Sequence, residues 1–335
     1  MEALAKIELH LHLDCSLSYK VVSRLQPGIT EQEYERRFKS PSKCRDLAEC
    51  LTYAAPAVRV MQTEESLRLV IEDVFEQLVA DRVIYAELRF APLLHLEQGL
   101  APEKVVETVD RAVQKCIEKT GIEARIILCT LRHYTREQSL ETARLAERFQ
   151  GTRVVALDIA GDEAAFPLAP HTPAYDYARE RGVFLTAHAG EAAGAASVWQ
   201  TMRELAPSRI GHGVRSIEDP ELIEFLKASG IHLEVCPGSN VQTNLCQTLK
   251  DHPVDRLAKA GVSLGINTDC RTMTFTTLKR EYAELERVFS WTEADFLRCN
   301  LAAIRAAFLS AEQKQRLEKR LVESHTRSQP AHPIR

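Results

Sequence analysis

The sequence predicts an α/β chain closed as a (β/α)8, or TIM, barrel with a helical insertion after the first strand. Three observations support this. Eight short apolar or β-branched runs recur along the 335 residues. Most are preceded by a helix-period segment ending in Gly, as in CIEKTG, YARERG, FLKASG and RLAKAG, and Gly between helix and strand is an αβ-loop signal. No GxGxxG or GxxxxGK[ST] phosphate turn occurs, although an open doubly wound sheet usually shows one. Alternating strands and helices argue for a parallel sheet with helices outside, and eight such units argue for closure.

The first run, KIELHLHL (6–13), alternates. Ile7, Leu9, Leu11 and Leu13 share one face, which leaves Glu8, His10, His12 and Asp14 on the other. Burying four polar groups costs free energy unless they have partners or a task. The stretch from about 17 to 81 is too long for one crossover helix and contains helical segments, TEQEYERRF and the run from Leu47 through Val60. It reads as inserted helices, which either wall or lid a site at the barrel mouth or simply embellish the packing. The remaining runs are VIYAELRFAP (83–92), EARIILCTLR (123–132), RVVALDIAG (153–161), VFLTAHAGE (183–191), SRIGHG (208–213), IHLEVCP (231–237) and VSLGINTD (262–269). Residues 1–322 are expected to form one barrel domain, and the polar, Pro-containing ESHTRSQPAHPIR (323–335) a disordered tail.

Composition narrows the function. A net charge of −4 with no basic stripe gives no electrostatic case for nucleic-acid or anionic-membrane binding. The N-terminus lacks a basic leader followed by an apolar run, and no apolar stretch approaches the ~18 residues of a membrane helix. Nine scattered cysteines without a CxxC pair read as reduced cytoplasmic thiols and not as a disulfide framework. The oligomeric state is left open.

The chemistry gathers at strand ends. His10 and His12, His188 in TAHAGE, His212 in RIGHG and Asp269 in NTD all fall where barrel strands converge on one mouth. His-x-His places two imidazoles on one face roughly 6–7 Å apart at the backbone, within reach of one ion at ~2.0–2.1 Å bonds. A third His and an Asp would complete a mononuclear site with a position left for water, whose pKa such an ion lowers toward ~7. A single strand His is more often structural, so the metal reading rests on the whole constellation. His95, His133, His171, His232 and His252 lack such pairing, and for most of them the structural reading wins. Glu191, three residues beyond His188, can turn back over the site as a proton donor, or can serve as a first-turn acid of the next helix. Gly161 at the end of LDIAG allows close approach of a ligand to the backbone, or is only a turn glycine.

HLHLDCS, LDIAGDE, TAHAGE, RIGHG, CPGSNVQT and NTD resemble, in that order, the signature blocks of the adenosine deaminase family of metal-dependent amidohydrolases. The resemblance implies one Zn²⁺ per subunit held by His10, His12, His188 and Asp269. It implies Glu191 as proton donor to purine N1, and His212 as the group that orients and helps deprotonate the attacking water. Asp269 would also hydrogen-bond that water. Gly161 matches the family's contact to purine N3 and Asp14 its contact to the sugar 5′-hydroxyl. His12 and Cys270 complete the expected substrate contacts, and Asp158 and Ser239 would stand behind the ligands.

The implied reaction is hydrolytic deamination of adenosine to inosine with release of ammonia. One departure bears on the substrate. Many members have a second Asp, which contacts purine N7, where this chain has Cys270. A thiol is a weak donor, so either water or Arg271 serves N7 or the substrate differs. The same chemistry on aminodeoxyfutalosine, an N6-methylated or 5′-phosphorylated adenosine, or adenine is the alternative. An inactive nucleoside-binding homologue and a metal phosphoesterase on the same barrel are more distant. Every metal and acid position is filled, which speaks against the first, and no suitable Lys follows the fourth strand, which speaks against the second.

Overall fold

The computed structural model describes residues 4–328. Eight strands, β1 (Lys6–His12), β2 (Val83–Phe90), β3 (Glu123–Leu131), β4 (Val154–Ala160), β5 (Phe184–Ala189), β6 (Arg209–His212), β7 (His232–Val235) and β8 (Leu264–Ile266), lie side by side in chain order. All neighbouring pairs are parallel. Closure comes just beyond the short β8. His12 N donates to Asp269 O at 2.8 Å, and Asp269 N donates to His10 O at 2.9 Å. The chain is a (β/α)8 barrel, and its closing seam carries three of the residues singled out above.

Strands in such a barrel are buried on both faces. β2 is buried at every position. Outward-facing aliphatics such as Ala86, Leu88, Ile126 and Leu128 pack beneath the helices in the main core. Inward positions are unusually polar: Glu87 and Arg89, Asp158, Arg209 and Glu234 are all at most 1% exposed. They are tolerated because they pair. Arg89 reaches Asp158 at 2.7 Å and Glu234 at 2.6 Å, while Arg209 Nε reaches Glu234 at 2.7 Å and its other arm reaches Glu87. Buried charge with matched partners is the condition under which such an interior is stable.

Between β1 and β2 come α1 (Tyr19–Leu25), α2 (Glu31–Phe38), α3 (Leu47–Leu51), α4 (Ala55–Val60) and the longer α5 (Glu64–Ala80). Thr30 and Thr63 close capping boxes on α2 and α5, which satisfies backbone donors that a helix start leaves free. The outer helices are α6 (Pro102–Thr120), α7 (Arg136–Arg148), α8 (Thr172–Glu180), α9 (Ala195–Leu205), α10 (Pro220–Ser229), α11 (Pro237–Gln242), α12 (Val254–Lys259), α13 (Leu278–Phe289), α14 (Glu293–Ala306) and α15 (Ala311–Ser328). In α6, Val105, Val106, Val109, Ala112, Val113 and Cys116 form the buried stripe, a spacing that puts them on one face.

Two expectations are corrected. The tail expected over 323–335 starts too early: α15 runs through Ser328, and residues 329–335 lie outside the described residues. Leu317 and Leu321, one turn apart, pack against Ile7, Leu9 and Ile84, so the polar residues read as a tail are in part the solvated face of an anchored helix. Nor are all nine cysteines reduced. Cys44 and Cys50 form a disulfide across a 5.8 Å Cα–Cα gap, the other seven remaining thiols. The turn capped by Asp46 at the start of α3 brings this pair together, a closeness that six residues of separation did not signal. Among the described residues, no helix is long and apolar enough to cross a membrane.

Candidate active site

His10 and His12 end β1, His188 lies in β5, and Asp269 follows β8; the closed barrel gathers them. His12 Nε2 lies 3.1 Å from His188 Nε2. Asp269 Oδ1 lies 3.5 Å from both His10 Nε2 and His12 Nε2. Donor atoms ~2.0–2.1 Å from a tetrahedral ion stand about 3.3–3.4 Å from one another, so these spacings fit a single cation. His10 Nε2 is buried with no hydrogen-bond partner, as expected of a lone pair reserved for an ion. The nearby Cys236 is not needed as a ligand, because its thiol donates to Glu234 O at 3.5 Å.

The rings are fixed from behind. His10 Nδ1 lies 3.0 Å from Glu234 and His188 Nδ1 lies 3.1 Å from Asp158. A carboxylate on Nδ1 holds the tautomer that leaves Nε2 free to bind a metal. Burial pushes the Asp158 carboxyl up, but His188 and Arg89 more than offset this and hold it below its ordinary range. Glu234 is held low in the same way by Arg89 and Arg209. Gly211 in β6 lets the rings approach: a Cβ there would sit 3.0 Å from His10 Cε1 and 3.3 Å from His188 Cγ.

Beside this cluster stand Glu191 and His212, with His212 Nε2 3.5 Å from Glu191 Oε2. Burial, then the charges of Asp269, Glu163 and Asp162, push the Glu191 carboxyl well above the usual carboxylate range. Such a group can keep a proton near neutral pH and give it away. Its loop is held by Glu163, whose carboxylate accepts from Gly190 N at 2.7 Å, Glu191 N at 2.9 Å, Ala192 N at 2.8 Å and Ala193 N at 3.0 Å. His212 and Asp269 have left-handed backbones, φ 60° and 62°. Non-glycine residues in that region tend to cluster at functional sites, where the surroundings over-determine them.

A cavity of about 570 Å³ opens over these groups. Asp14, Gly161 and Cys270 line it, together with Leu47, Leu51 and Ala54 of the insertion and with Leu131 and Phe166. The insertion therefore forms one wall. Gly161 has φ 103°, which a side chain would strain. Ser239 Oγ donates to Asp269 Oδ2 at 2.7 Å. Arg271 does not line the cavity: it is 4% exposed and paired with Glu8 and Asp81, each at 2.9 Å. These pairs commit the Arg271 guanidinium and account for Glu8, a buried polar residue of β1.

Sequence reasoning passed over Arg89, Glu163, Glu234 and Asn240, and grouped His252 with the unpaired histidines, most of them read as structural. Arg89 and Glu234 carried a visible signal, since each is a charge at an inward position of an apolar strand, the same anomaly noted in KIELHLHL. Glu163 stands in the quoted block LDIAGDE without an assigned task. Of the unpaired histidines, His95, His171 and His232 make ordinary structural hydrogen bonds, whereas His252 contacts Asn240, which contacts His212.

With this geometry in hand, the chain can be compared with known proteins. The family model described as adenosine deaminase matches residues 5–324. An adenosine deaminase from Clostridium perfringens is 33% identical over 326 residues, 95% of this chain and 98% of that protein. One from Lacticaseibacillus paracasei is 35% identical over 327 residues, 96% of each chain. Among solved structures, an N6-mAMP deaminase from Arabidopsis superimposes with a TM-score of 0.86 at 26% identity, covering 96% of this chain and 98% of that one.

Proposed function

This chain belongs to the adenosine deaminase family, a group of hydrolytic deaminases acting on 6-aminopurines, and on that premise we propose that it converts adenosine to inosine and ammonia with one zinc ion per subunit. The observation that carries the reading is that His12, His188 and Asp269 line one cavity with the protonatable Glu191 and His212, while the buried His10 brings its unpartnered Nε2 within 3.5 Å of Asp269 Oδ1. His10, His12, His188 and Asp269 would hold the ion. Bound there, zinc would supply the Lewis acidity that makes water a competent nucleophile near neutral pH.

The chain's own residues do the rest. Glu191 gives its proton to purine N1 as the water oxygen adds to C6, so the ring does not accumulate full negative charge. The two water protons end on ammonia and back on Glu191. Gly161 N–H would meet N3 and Asp14 the 5′-hydroxyl, while the apolar insertion wall covers the base. Seating the base there excludes bulk water, which strengthens each polar contact inside.

Charge supports a nucleoside over a 5′-phosphorylated substrate. Among the described residues lining the cavity, Arg59 is the only arginine or lysine, and its Nε is engaged by Ala55 O at 3.3 Å. Asp14, Glu97 and Asp162 line the same space. A phosphate monoester needs several charge-assisted donors and would meet carboxylates instead. Formation of the 6-oxopurine, with release of ammonia from adenosine, AMP and adenine and of methylamine from N6-methyl-AMP, should therefore be fastest with adenosine and far slower with the other three. Faster turnover of either nucleotide would overturn the substrate assignment. In the same assay, Glu191→Gln should keep its metal and lose about 10²–10⁴ in kcat.

A further inference from the structure

We infer that His252 and Asn240 are positioning residues that hold His212 as the neutral tautomer with its proton on Nε2, so that the ring meets the reacting oxygen as a hydrogen-bond donor. The inference deepens the deaminase reading and rests on it for the role of His212, but the tautomer itself follows from hydrogen bonds alone.

The chain of constraint starts at a backbone N–H, which can only donate. Val254 N lies 3.0 Å from His252 Nδ1, so Nδ1 is the acceptor and the ring proton sits on Nε2. His252 Nε2 lies 3.1 Å from Asn240 Oδ1 and donates to it. The other end of the same amide, Nδ2, lies 3.1 Å from His212 Nδ1. An amide nitrogen donates and does not accept. His212 Nδ1 must therefore accept, and its single proton is left on Nε2, the nitrogen that faces Glu191.

Each alternative meets a mismatch. Turning the Asn240 amide over would set its NH₂ against the Nε2–H of His252. Moving the His252 proton to Nδ1 would set it against Val254 N–H. Water has little access to repair either one, because His252 is 2%, Asn240 0% and His212 1% exposed. An unpaired donor at such depth carries the full desolvation penalty of that group. Burial also drives the His252 pKa down to about 3, which keeps its ring uncharged. The relay is anchored on fixed backbone: Asn240 N donates to Cys236 O at 2.9 Å in α11, and His252 N donates to Leu249 O at 3.1 Å.

The consequence is chemical. A ring already protonated on Nε2 cannot take a proton from water there. His212 then orients the attacking oxygen and stabilises the charge that grows on it, and the proton leaving the water passes to Asp269 and out on ammonia. His212 was expected from the sequence to help deprotonate the water; this relay makes it a donor instead.

The test is long-range ¹H–¹⁵N correlation of the full chain labelled at histidine, metal-free and zinc-loaded, alongside kinetics with adenosine. Wild type should show unprotonated Nδ1 and protonated Nε2 in both His212 and His252. In Asn240→Asp the carboxylate still accepts from His252 but now also requires a donor from His212. The His212 signature should switch to Nδ1–H, and kcat should fall by about 10²-fold or more with little change in KM. His252→Leu should release the His212 signature, whereas His252→Gln, whose Nε2 reaches the same oxygen, should restore it and recover at least about tenfold in kcat over the Leu variant. His212 protonated on Nδ1 in wild type, or unmoved in Asn240→Asp and His252→Leu, overturns the relay. Correct signatures in a protein that does not deaminate adenosine would instead overturn the functional reading and leave the relay standing.

Discussion

At the scale of single residues, Cys270 makes the sharpest claim about specificity. It follows Asp269, and its thiol donates to Asp269 Oδ1 at 3.6 Å. Because Arg271 is committed to Glu8 and Asp81, a purine N7 placed here meets only the thiol or water. A protonated carboxyl would make a better donor. Cys270→Asp should improve adenosine kcat/KM by about 0.5–1.5 kcal/mol, the net worth of one hydrogen bond, and leave 7-deazaadenosine, which lacks the acceptor, unchanged. Equal changes for both substrates would remove any N7 role. The residues legible in the sequence, His10, His12, His188, Glu191, His212, Asp14, Gly161 and Asp269, stand in short motifs with chemical character of their own. Of their supports, Asp158 was expected behind the ligands, and Arg89 and Glu234 stood out only as charges on apolar strands. The partners that Arg89, Glu234, Asn240 and His252 serve become neighbours only when closure brings distant strands together, so their tasks could not be read from the sequence.

At the scale of elements, every strand expected from an apolar run is present, and so are the insertion's expected helices, α2 over TEQEYERRF and α3 and α4 within Leu47–Val60; the chain's end was read less well. The insertion's short helices depend on caps and on the Cys44–Cys50 link and not on long apolar periods. α15 is mostly polar, and two leucines hold it. One junction between elements has a measurable consequence. Glu281 of α13 accepts from Gly238 N of α11 at 3.0 Å and from Thr276 Oγ1 at 2.7 Å. Burial raises its pKa to about 7 from an ordinary 4.5. A carboxyl whose folded pKa is the higher one holds more protons folded than unfolded, so its contribution to stability is complete below about 4.5 and is lost as pH rises through about 7. Glu281→Gln, which mimics the protonated form, should therefore flatten the fall in unfolding free energy across that window, on the order of 2–3 kcal/mol. Urea melts of both proteins at about pH 5 and about pH 7 check this; parallel pH dependence in the two would show that Glu281 titrates normally.

At the scale of the whole molecule, the barrel is what makes the site. Residues as far apart in sequence as His10 and Asp269 become neighbours only through the seam that joins β1 to the segment after β8. The ionic column of Glu87, Arg209, Glu234, Arg89 and Asp158 then carries order from the barrel interior up to the ligand rings. The central claim is that this mouth binds zinc and uses it to deaminate adenosine. Its most direct test is a count of zinc per purified chain together with adenosine turnover before chelation, after chelation and after zinc is returned. The account predicts about one zinc per chain, loss of inosine formation on removal with the fold retained, and recovery on readdition. Undiminished conversion of adenosine by metal-free protein would contradict it.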